Sequence, residues 1–382
     1  MPRISAISWF ISCSFRRSVA DYACFVYLGM VSGKLNNYRD PALPGRGHLE
    51  ARMIITKTPF RITLGGGGTD LPAYYQKYGG FLVSAAVNGY MYILVNRRFE
   101  NNYQIKYSKT ETVESLDDLK HPIVREALKL LDIGPGIEVM SMADLPAESG
   151  LGSSGSFAVG LLNALHAYKG EWRSPQQLAE EAFHIEAEIL NEPVGKQDQY
   201  IAAFGGIITM DIDTDGTVSV KKHSFSHDVM DKLESNCIYF HTGIRRKSSQ
   251  VLTHQSAAVA KNDEAVLDSM HRIKEIGIQC AAHLEQGDVD WFGESLDMHW
   301  QIKKRISNNM SDPQIDHWYT LARENGALGG KIIGAGGGGF FLMYCPDSRD
   351  RSRLRKVMAE EGLNEVRFRI DLEGSKSLAN VN

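Results

Sequence analysis

The chain has 382 residues, with 42 Lys and Arg against 46 Asp and Glu, a formal net charge of −4, and 43% hydrophobic residues. That length holds two domains of ordinary size, the composition is that of a globular protein, and the mild acidity argues against general nucleic-acid binding. No apolar run approaches the roughly 18 residues of a membrane helix. The five cysteines, Cys13, Cys24, Cys237, Cys280 and Cys345, form no CxxC pair, which argues against a zinc site or disulfide framework and points to reduced thiols in a cytoplasm.

Residues 1–52 differ in texture from the rest of the chain. Met1–Arg52 carries seven Lys or Arg against three Asp or Glu. Ile4–Phe15 is only weakly apolar, and Pro41–Gly47 is rich in breakers. A signal peptide wants a longer apolar core and a small-residue cleavage site. The segment reads as a poorly ordered extension, even an over-long gene start; a targeting or docking segment is the other reading. The periodic pattern opens at Met53.

From there, Ile54–Lys57 and Arg61–Leu64 predict two short strands separated by Pro59. Gly65–Gly68 come next, with Thr69 and Asp70 at the rim; such a stretch either admits a ligand close to the backbone or simply turns. Phe81–Val87 and Tyr90–Arg97 predict paired strands around Asn88-Gly89, a hairpin signal. Tyr103–Tyr107 adds a strand, Pro122–Leu131 a helix and Ile137–Met142 a further strand.

Pro146 to Tyr168 is the most informative stretch. Ser149–Ser156 holds three glycines and four serines. Phe157, Leu161 and Leu165 then share one helical face, with Ala158 and Leu162 beside them. Ser153 or Ser154 is a natural N-cap. A Gly/Ser loop feeding a helix presents unpaired N–H groups at the positive end of the dipole, so it suits phosphate. Its hydroxyls can add hydrogen bonds or a magnesium ligand. The Gly-Lys-Ser/Thr ending of a Walker loop is missing. Gly150, Gly152 and Gly155 match GxGxxG, but Asp144–Glu148 intervenes before the loop and a second helical pattern comes after it, which speaks against a dinucleotide site. A glycine-rich helix start without a ligand is the remaining reading.

Pro175–Leu190 predicts an amphipathic helix with Leu178, Ala182, Ile185 and Ile189 on its apolar side and Glu186 near its end. Pro193 and Gly195 make a turn, which Asp198 leaves flanked by Gln197 and Gln199. After a strand at Ile207–Asp211, the acidic turn Asp211–Asp215 marks a domain boundary. Cys237–His241 is a strand running through Thr242–Ser249 into a helix. Lys261–Glu285, Val289–Ile306 and Asp312–Asn325 are helical, the last opened by Pro313 and closed by Gly326. The basic run Lys303-Lys304-Arg305 reads as surface. Leu328–Ile333 and Phe340–Cys345 predict strands around Gly334–Gly339, Ser348–Glu361 a helix, and Glu365–Ile370 the final strand.

Glycine clusters at 65–68, 150–155 and 334–339 point to backbone converging on a charged, crowded ligand. Thr58–Asp70, Pro146–Ser156 and Lys331–Gly339, in that order, resemble the three motifs of the GHMP kinase superfamily of small-molecule kinases, and the likeness covers roughly 53–382. It implies an α+β fold of two domains with the active site between them. The first is a ribosomal protein S5 domain 2-like, ATP-binding domain at 53–211, the second a ferredoxin-like domain at 212–382. Gly65–Asp70, Gly195–Tyr200 and Thr242–Arg246 are most similar to the superfamily's heptose 7-phosphate kinases. The implied reaction moves the ATP γ-phosphoryl group to the anomeric C1 hydroxyl of D-glycero-D-manno-heptose 7-phosphate, giving the 1,7-bisphosphate for nucleotide-activated heptose synthesis. Two other readings stand beside it: a 1-kinase for an unphosphorylated sugar such as fucose or galactose, and a non-catalytic sensor binding sugar and ATP. The implied partners are ATP, Mg2+ and a sugar phosphate, with no nucleic acid or membrane, in a cytoplasmic protein; a homodimer stays open.

The resemblance also assigns roles. Pro146, Ser149, Gly150, Leu151, Gly152, Ser153, Ser154 and Gly155 would cradle ATP. Ser154 and Glu186 would hold magnesium, Glu186 by its family spacing ahead of Pro193; a solvated helix face is its plain alternative. Asp198 would accept or orient the proton of the attacking hydroxyl, or merely cap a helix. Arg61 would stabilise the transferring phosphoryl group or keep Asp198 ionised; Lys196 is a weaker candidate. Asp70 would grip sugar hydroxyls, with Gly67, Gly68, Thr69, Gly336 and Gly337 close to the substrate. Arg245 and Arg246, with Lys247, would take the sugar's own phosphate, or form an exposed basic patch.

Overall fold

The computed structural model describes residues 53–146, 148–244, 248–306 and 311–381; the expectations for residues 1–52 and for Arg245 and Arg246 lie outside them. In chain order the elements are β1 (Met53–Gly65), α1 (Pro72–Tyr78), β2 (Gly80–Arg97), β3 (Tyr103–Lys106), β4 (Thr110–Val113), α2 (Pro122–Leu130), β5 (Ile137–Ala143), α3 (Ser153–Lys169), α4 (Pro175–Phe183) and α5 (Gln197–Phe204). Next come β6 (Ile207–Ile212), β7 (Val218–His223), α6 (His227–Asn236), β8 (Cys237–His241), α7 (Ser248–Ala260), α8 (Glu264–Glu285), α9 (Val289–Ile306), α10 (Pro313–Glu324), β9 (Gly329–Ile332), β10 (Phe340–Tyr344), α11 (Ser348–Glu360), β11 (Asn364–Val366) and β12 (Lys376–Val381).

Two expected breaks in the first sheet are the two sides of one bulge instead. β1 runs unbroken through Pro59, and β2 runs unbroken through Asn88-Gly89. Pro59 pairs with Tyr90, and the next residue, Phe60, pairs with Val87. The ladder therefore skips Asn88 and Gly89 where Pro59 cannot donate, the usual place for proline inside a sheet. A hairpin is ruled out because both halves of β2 lie along the same β1. The bulge is held from outside: the Asn88 N–H donates to the Arg369 carbonyl at 2.9 Å, and the Arg369 N–H donates to Asn88 Oδ1 at 2.7 Å.

The large sheet has the order β12-β1-β2-β5-β3-β4, with β6 on the first half of β2 and β7 beyond it. Only β3 and β5 pair in parallel among these strands. β12, from the far end of the chain, closes the edge beside β1. The smaller sheet is antiparallel, in the order β11-β8-β10-β9. The helix Pro175–Leu190 expected from the pattern is interrupted, since His184–Ile189 is a π-helical turn after α4. The helix expected from Lys261 starts at Glu264, where Asp263 Oδ1 accepts from the N–H groups of Ala265 and Val266.

Helix α3 lies on β1 and β2, and its apolar residues, Phe157, Leu161, Leu162 and Leu165 among them, are buried there. The approach is close enough to need a glycine: a Cβ on Gly160 would stand 2.7 Å from Thr58 Oγ1. Thr56 Oγ1 donates to the Gly160 carbonyl at 2.9 Å, and Ser156 Oγ donates to the Pro59 carbonyl at 2.8 Å. The helix N-terminus is thereby pinned beside the bulge, and that contact fixes where its first turn points. No helix among the described residues is long and apolar enough to cross a membrane.

Candidate active site

The loop before α3 turns through left-handed conformations at Glu148 (φ 62°), Gly150 (φ 81°) and Gly152 (φ 75°). Leu151, fully buried, anchors it, and its carbonyl accepts from the Arg61 N–H at 3.0 Å. Gly152, not Ser153 or Ser154, is the N-cap, and no side chain caps the helix. The backbone reason is that the chain enters α3 through a left-handed residue, a place that suits glycine and excludes the extended geometry of a serine cap. Ser153 and Ser154 fall in the first turn, ahead of the bond from the Ser156 N–H to the Gly152 carbonyl. Their N–H groups belong to the open, positive end of the dipole.

These residues line a cavity of about 440 Å³. Gly150, Gly152, Ser153, Ser154 and Gly155 form part of its wall, whereas Pro146 is exposed and Ser149 and Leu151 sit behind the wall. Gly67, Gly68, Asp70, Glu186, Asp198, Arg61 and Gly336 also line it. Thr69 lies behind, its hydroxyl 2.8 Å from the Gly66 and Phe81 carbonyls, bracing the turn. Gly337 is buried beside the wall. The third glycine cluster abuts the first turn of the loop backbone to backbone: a Cβ on Gly334 would stand 2.5 Å from the Gly150 carbonyl oxygen.

Asp198, in the first turn of α5, rests directly on the serine loop. A Cβ on Gly152 would lie 3.1 Å from Asp198 Oδ2, and one on Gly155 would lie 2.7 Å from Asp198 Cβ. Arg61 Nε donates to Asp198 Oδ1 at 2.6 Å, and Arg61 also donates to the Gly150 carbonyl at 2.5 Å. One guanidinium thus ties the carboxylate to the loop. Lys196 turns away, its Nζ 2.9 Å from both Glu180 carboxylate oxygens and its ammonium over the Phe183 ring. Gly155→Ala should push α3 from α5 and displace Asp198, lowering kcat by about 10²-fold in steady-state assays, with less effect on the KM for nucleotide.

Glu186 sits in the π-helical turn, 1% exposed. A π turn widens the helix and re-aims its side chains. Ser154 Oγ donates to Glu186 Oε1, and Gln199 Nε2 donates to Oε2 at 2.7 Å. Burial pushes the Glu186 carboxyl up to about 7, opposed by those two hydrogen bonds and reinforced by the charges of Asp198 and Glu192. Asp70 accepts from the N–H groups of Gly68 (3.1 Å) and Gln197 (3.0 Å), and burial raises its carboxyl as well.

Three features of the cavity were not anticipated. Met91, Ile123, Leu145 and Phe157 form an apolar stretch of its wall beside His121, whose ring stacks on that of Phe157 at 4.9 Å and whose Nδ1 has no hydrogen-bond partner among the described residues. The run at 303–305 is not all surface: Lys304 is partly exposed and Arg305 exposed, but Lys303 points inward and lines the cavity. A helix turns each successive residue by about 100°, so three adjacent cations cannot share one face. Lys331 lines the cavity too.

Residues 122–206 match the GHMP kinases N terminal domain, and residues 280–364 match the GHMP kinases C terminal domain. The chain belongs to the GHMP kinases. Its mixed helix and sheet architecture is the GHMP kinase fold. As a GHMP kinase it is an ATP-dependent phosphotransferase. It is 29% identical over 338 residues to the D-glycero-alpha-D-manno-heptose 7-phosphate kinase of Campylobacter jejuni, a match spanning 85% of this chain and 99% of that protein. The solved structure of a putative sugar kinase from Campylobacter jejuni is 28% identical with a TM-score of 0.69, covering 88% of this GHMP kinase and 100% of that chain. That of a D-glycero-D-manno-heptose 1-phosphate kinase from Bacteroides thetaiotaomicron shares the fold, with 23% identity, a TM-score of 0.71, and coverage of 86% and 100%.

Proposed function

We propose that this GHMP kinase transfers the γ-phosphoryl group of ATP to the anomeric C1 hydroxyl of D-glycero-D-manno-heptose 7-phosphate. The observation that carries it is the seating of Asp198 on the serine loop, which brings a carboxylate and the open N-terminal end of α3 into one cavity. The 29% likeness to a heptose 7-phosphate kinase along nearly all of that protein supports the choice of acceptor.

In this reading the nucleotide base lies against the apolar stretch at His121 and Phe157, and the phosphates meet the N–H groups of Ser153, Ser154 and Gly155. Asp198 orients the C1 hydroxyl and takes its proton as the new O–P bond forms. The bond between the γ-phosphorus and the β,γ-bridging oxygen breaks, leaving ADP and heptose 1,7-bisphosphate. Arg61 positions Asp198 and adds positive charge beside the loop. Asp70 accepts hydrogen bonds from sugar hydroxyls, and Arg245 and Arg246 would bind the acceptor's phosphate.

The donor set fits magnesium. A serine hydroxyl and a carboxylate meet at the loop, and among the described residues the buried Glu186 carboxyl has only neutral hydrogen-bond donors. Two hard oxygen ligands from protein, completed by phosphate and water, suit that ion. Bound there, it would neutralise charge on the phosphate oxygens. Ser154 and Glu186 would hold it.

A coupled ADP-release assay over heptose 7-phosphate, heptose, fucose, galactose and galactose 1-phosphate tests the acceptor. Turnover should be confined to heptose 7-phosphate. Equal turnover on an unphosphorylated sugar would replace this reading with a simple sugar 1-kinase, and nucleotide binding without turnover on any of them would replace it with a sensor.

A further inference from the structure

Lys303 on α9 and Lys331 on β9 both line the cavity, and they are 9% and 2% exposed. Lys303 Nζ donates to the Gly334 carbonyl at 2.5 Å. Lys331 Nζ donates to the Leu64 carbonyl at 3.0 Å and lies 3.3 Å from His299 Nδ1. Among the described residues neither ammonium has a carboxylate within ion-pair distance, whereas the neighbouring Lys304 pairs with Asp316 at 3.3 Å. Burying cations without a counter-charge is costly. Here two are buried in the cavity wall, and Arg61 stands close enough to act on both by charge. We propose that Lys303 and Lys331 form an anion subsite of this cavity that binds phosphoryl oxygens and is completed only by the ligand.

The placement favours the group in transfer as the occupant. Lys303 hangs on the Gly334 carbonyl, Gly334 packs on Gly150 of the serine loop, and the Gly150 carbonyl holds Arg61. The pair therefore belongs to the same wall as the residues that meet the nucleotide's phosphates. The other source of the same chemistry is the phosphate already on the acceptor. This inference rests on the kinase reading of the cavity and adds two cations to it.

The surroundings give the pair a pH signature. Burial, together with the charge of Arg61, holds Lys303 down at about 7. Burial and the charges of Lys303 and Arg61 hold Lys331 at about 7, with Cys280 opposing. His299 is pushed well below its usual value by burial and by both lysines, and burial pushes the Cys280 thiol up to about 12, so both are neutral neighbours. An arriving anion raises the lysine values. Binding should therefore take up protons above pH 7 and weaken as pH rises.

The test uses the full chain and Lys303→Met, Lys331→Met, the double variant and Lys303→Arg. Calorimetry compares ADP with ADP plus aluminium fluoride and magnesium, and steady-state assays use heptose 7-phosphate. Removing a buried, unpaired cation should not lower the melting temperature, which thermal unfolding checks. ADP affinity should stay within about threefold, while each Met variant should bind ADP–aluminium fluoride at least about tenfold more weakly and lose about 10²–10³-fold in kcat. Lys303→Arg should recover most of the loss, and the double variant should show no proton uptake. An unchanged analogue affinity with a tenfold or larger rise in KM for heptose 7-phosphate would assign the subsite to the acceptor's phosphate. If neither quantity moves, the proposal is overturned. Wild-type protein without sugar turnover would sink the acceptor reading alone, since the analogue arm needs no sugar.

Discussion

Asp198→Asn should lower kcat by about 10²–10⁴-fold while leaving the KM for ATP nearly unchanged. The substitution keeps the size of the side chain, so the close seating of α5 on Gly152 and Gly155 survives. It also keeps a carbonyl oxygen for Arg61, which now donates to Asp198 Oδ1 at 2.6 Å. What is lost is the negative charge that the proposed mechanism sets before the acceptor hydroxyl. Phosphoryl transfer through a loose transition state asks little of a base early on. Activity within about tenfold of wild type would remove Asp198 from the chemistry.

Glu186→Gln should lower kcat/KM by about 10²-fold or more and raise the magnesium concentration needed for half-maximal rate. The wild type should show a matching pH dependence. The Glu186 carboxyl is raised to about 7 by burial, so below that pH a proton would compete with the magnesium proposed to bind there. At limiting magnesium, activity should rise with pH through about 7 and then level, and saturating magnesium should move that limb to lower pH. Stability has the opposite sign. An acid with a raised value binds more protons folded than unfolded between its ordinary value and 7, so the metal-free protein loses stability as pH climbs through that window. Glu186→Gln removes the penalty, and the metal-free variant should melt higher than wild type at pH 8. A variant that melts lower there, with unchanged magnesium dependence, would show that Glu186 is a structural hydrogen-bond acceptor for Ser154 and Gln199 only.

The parts of this molecule that were legible in its sequence are those whose chemistry is local. Gly150, Gly152 and the serines around them announce a turn and a helix start within eight residues, and the fold has both. Asp70 and Asp198 stand out because each comes shortly after a breaker-rich stretch, Gly65–Gly68 for the first and Pro193 to Gly195 for the second. What escaped depended on partners far along the chain. Asn88-Gly89 carries a hairpin signal, but β1 lies along both sides of it and the Arg369 backbone caps it. The edge strand β12 shows no apolar alternation, because its residues are mostly exposed and only its backbone pairs with β1. The interruption at His184–Ile189 leaves the apolar spacing of a helix intact while changing its hydrogen bonds. Lys303 looked like one cation of a solvated run, and only the rotation of α9 separates it from Lys304 and Arg305. His121 and Phe157 are 36 residues apart in sequence, yet their rings stack in the cavity wall.

The central claim is that the serine loop and Asp198 act on one phosphoryl group between a nucleotide and an anomeric hydroxyl. Phosphorus NMR of the full chain with ATP, magnesium and D-glycero-D-manno-heptose 7-phosphate tests it most directly. The account predicts a new sugar phosphate signal coupled to the anomeric proton, growing in step with ADP while the 7-phosphate signal persists. ADP formed without that signal, or a new phosphate coupled to any other sugar proton, would contradict it.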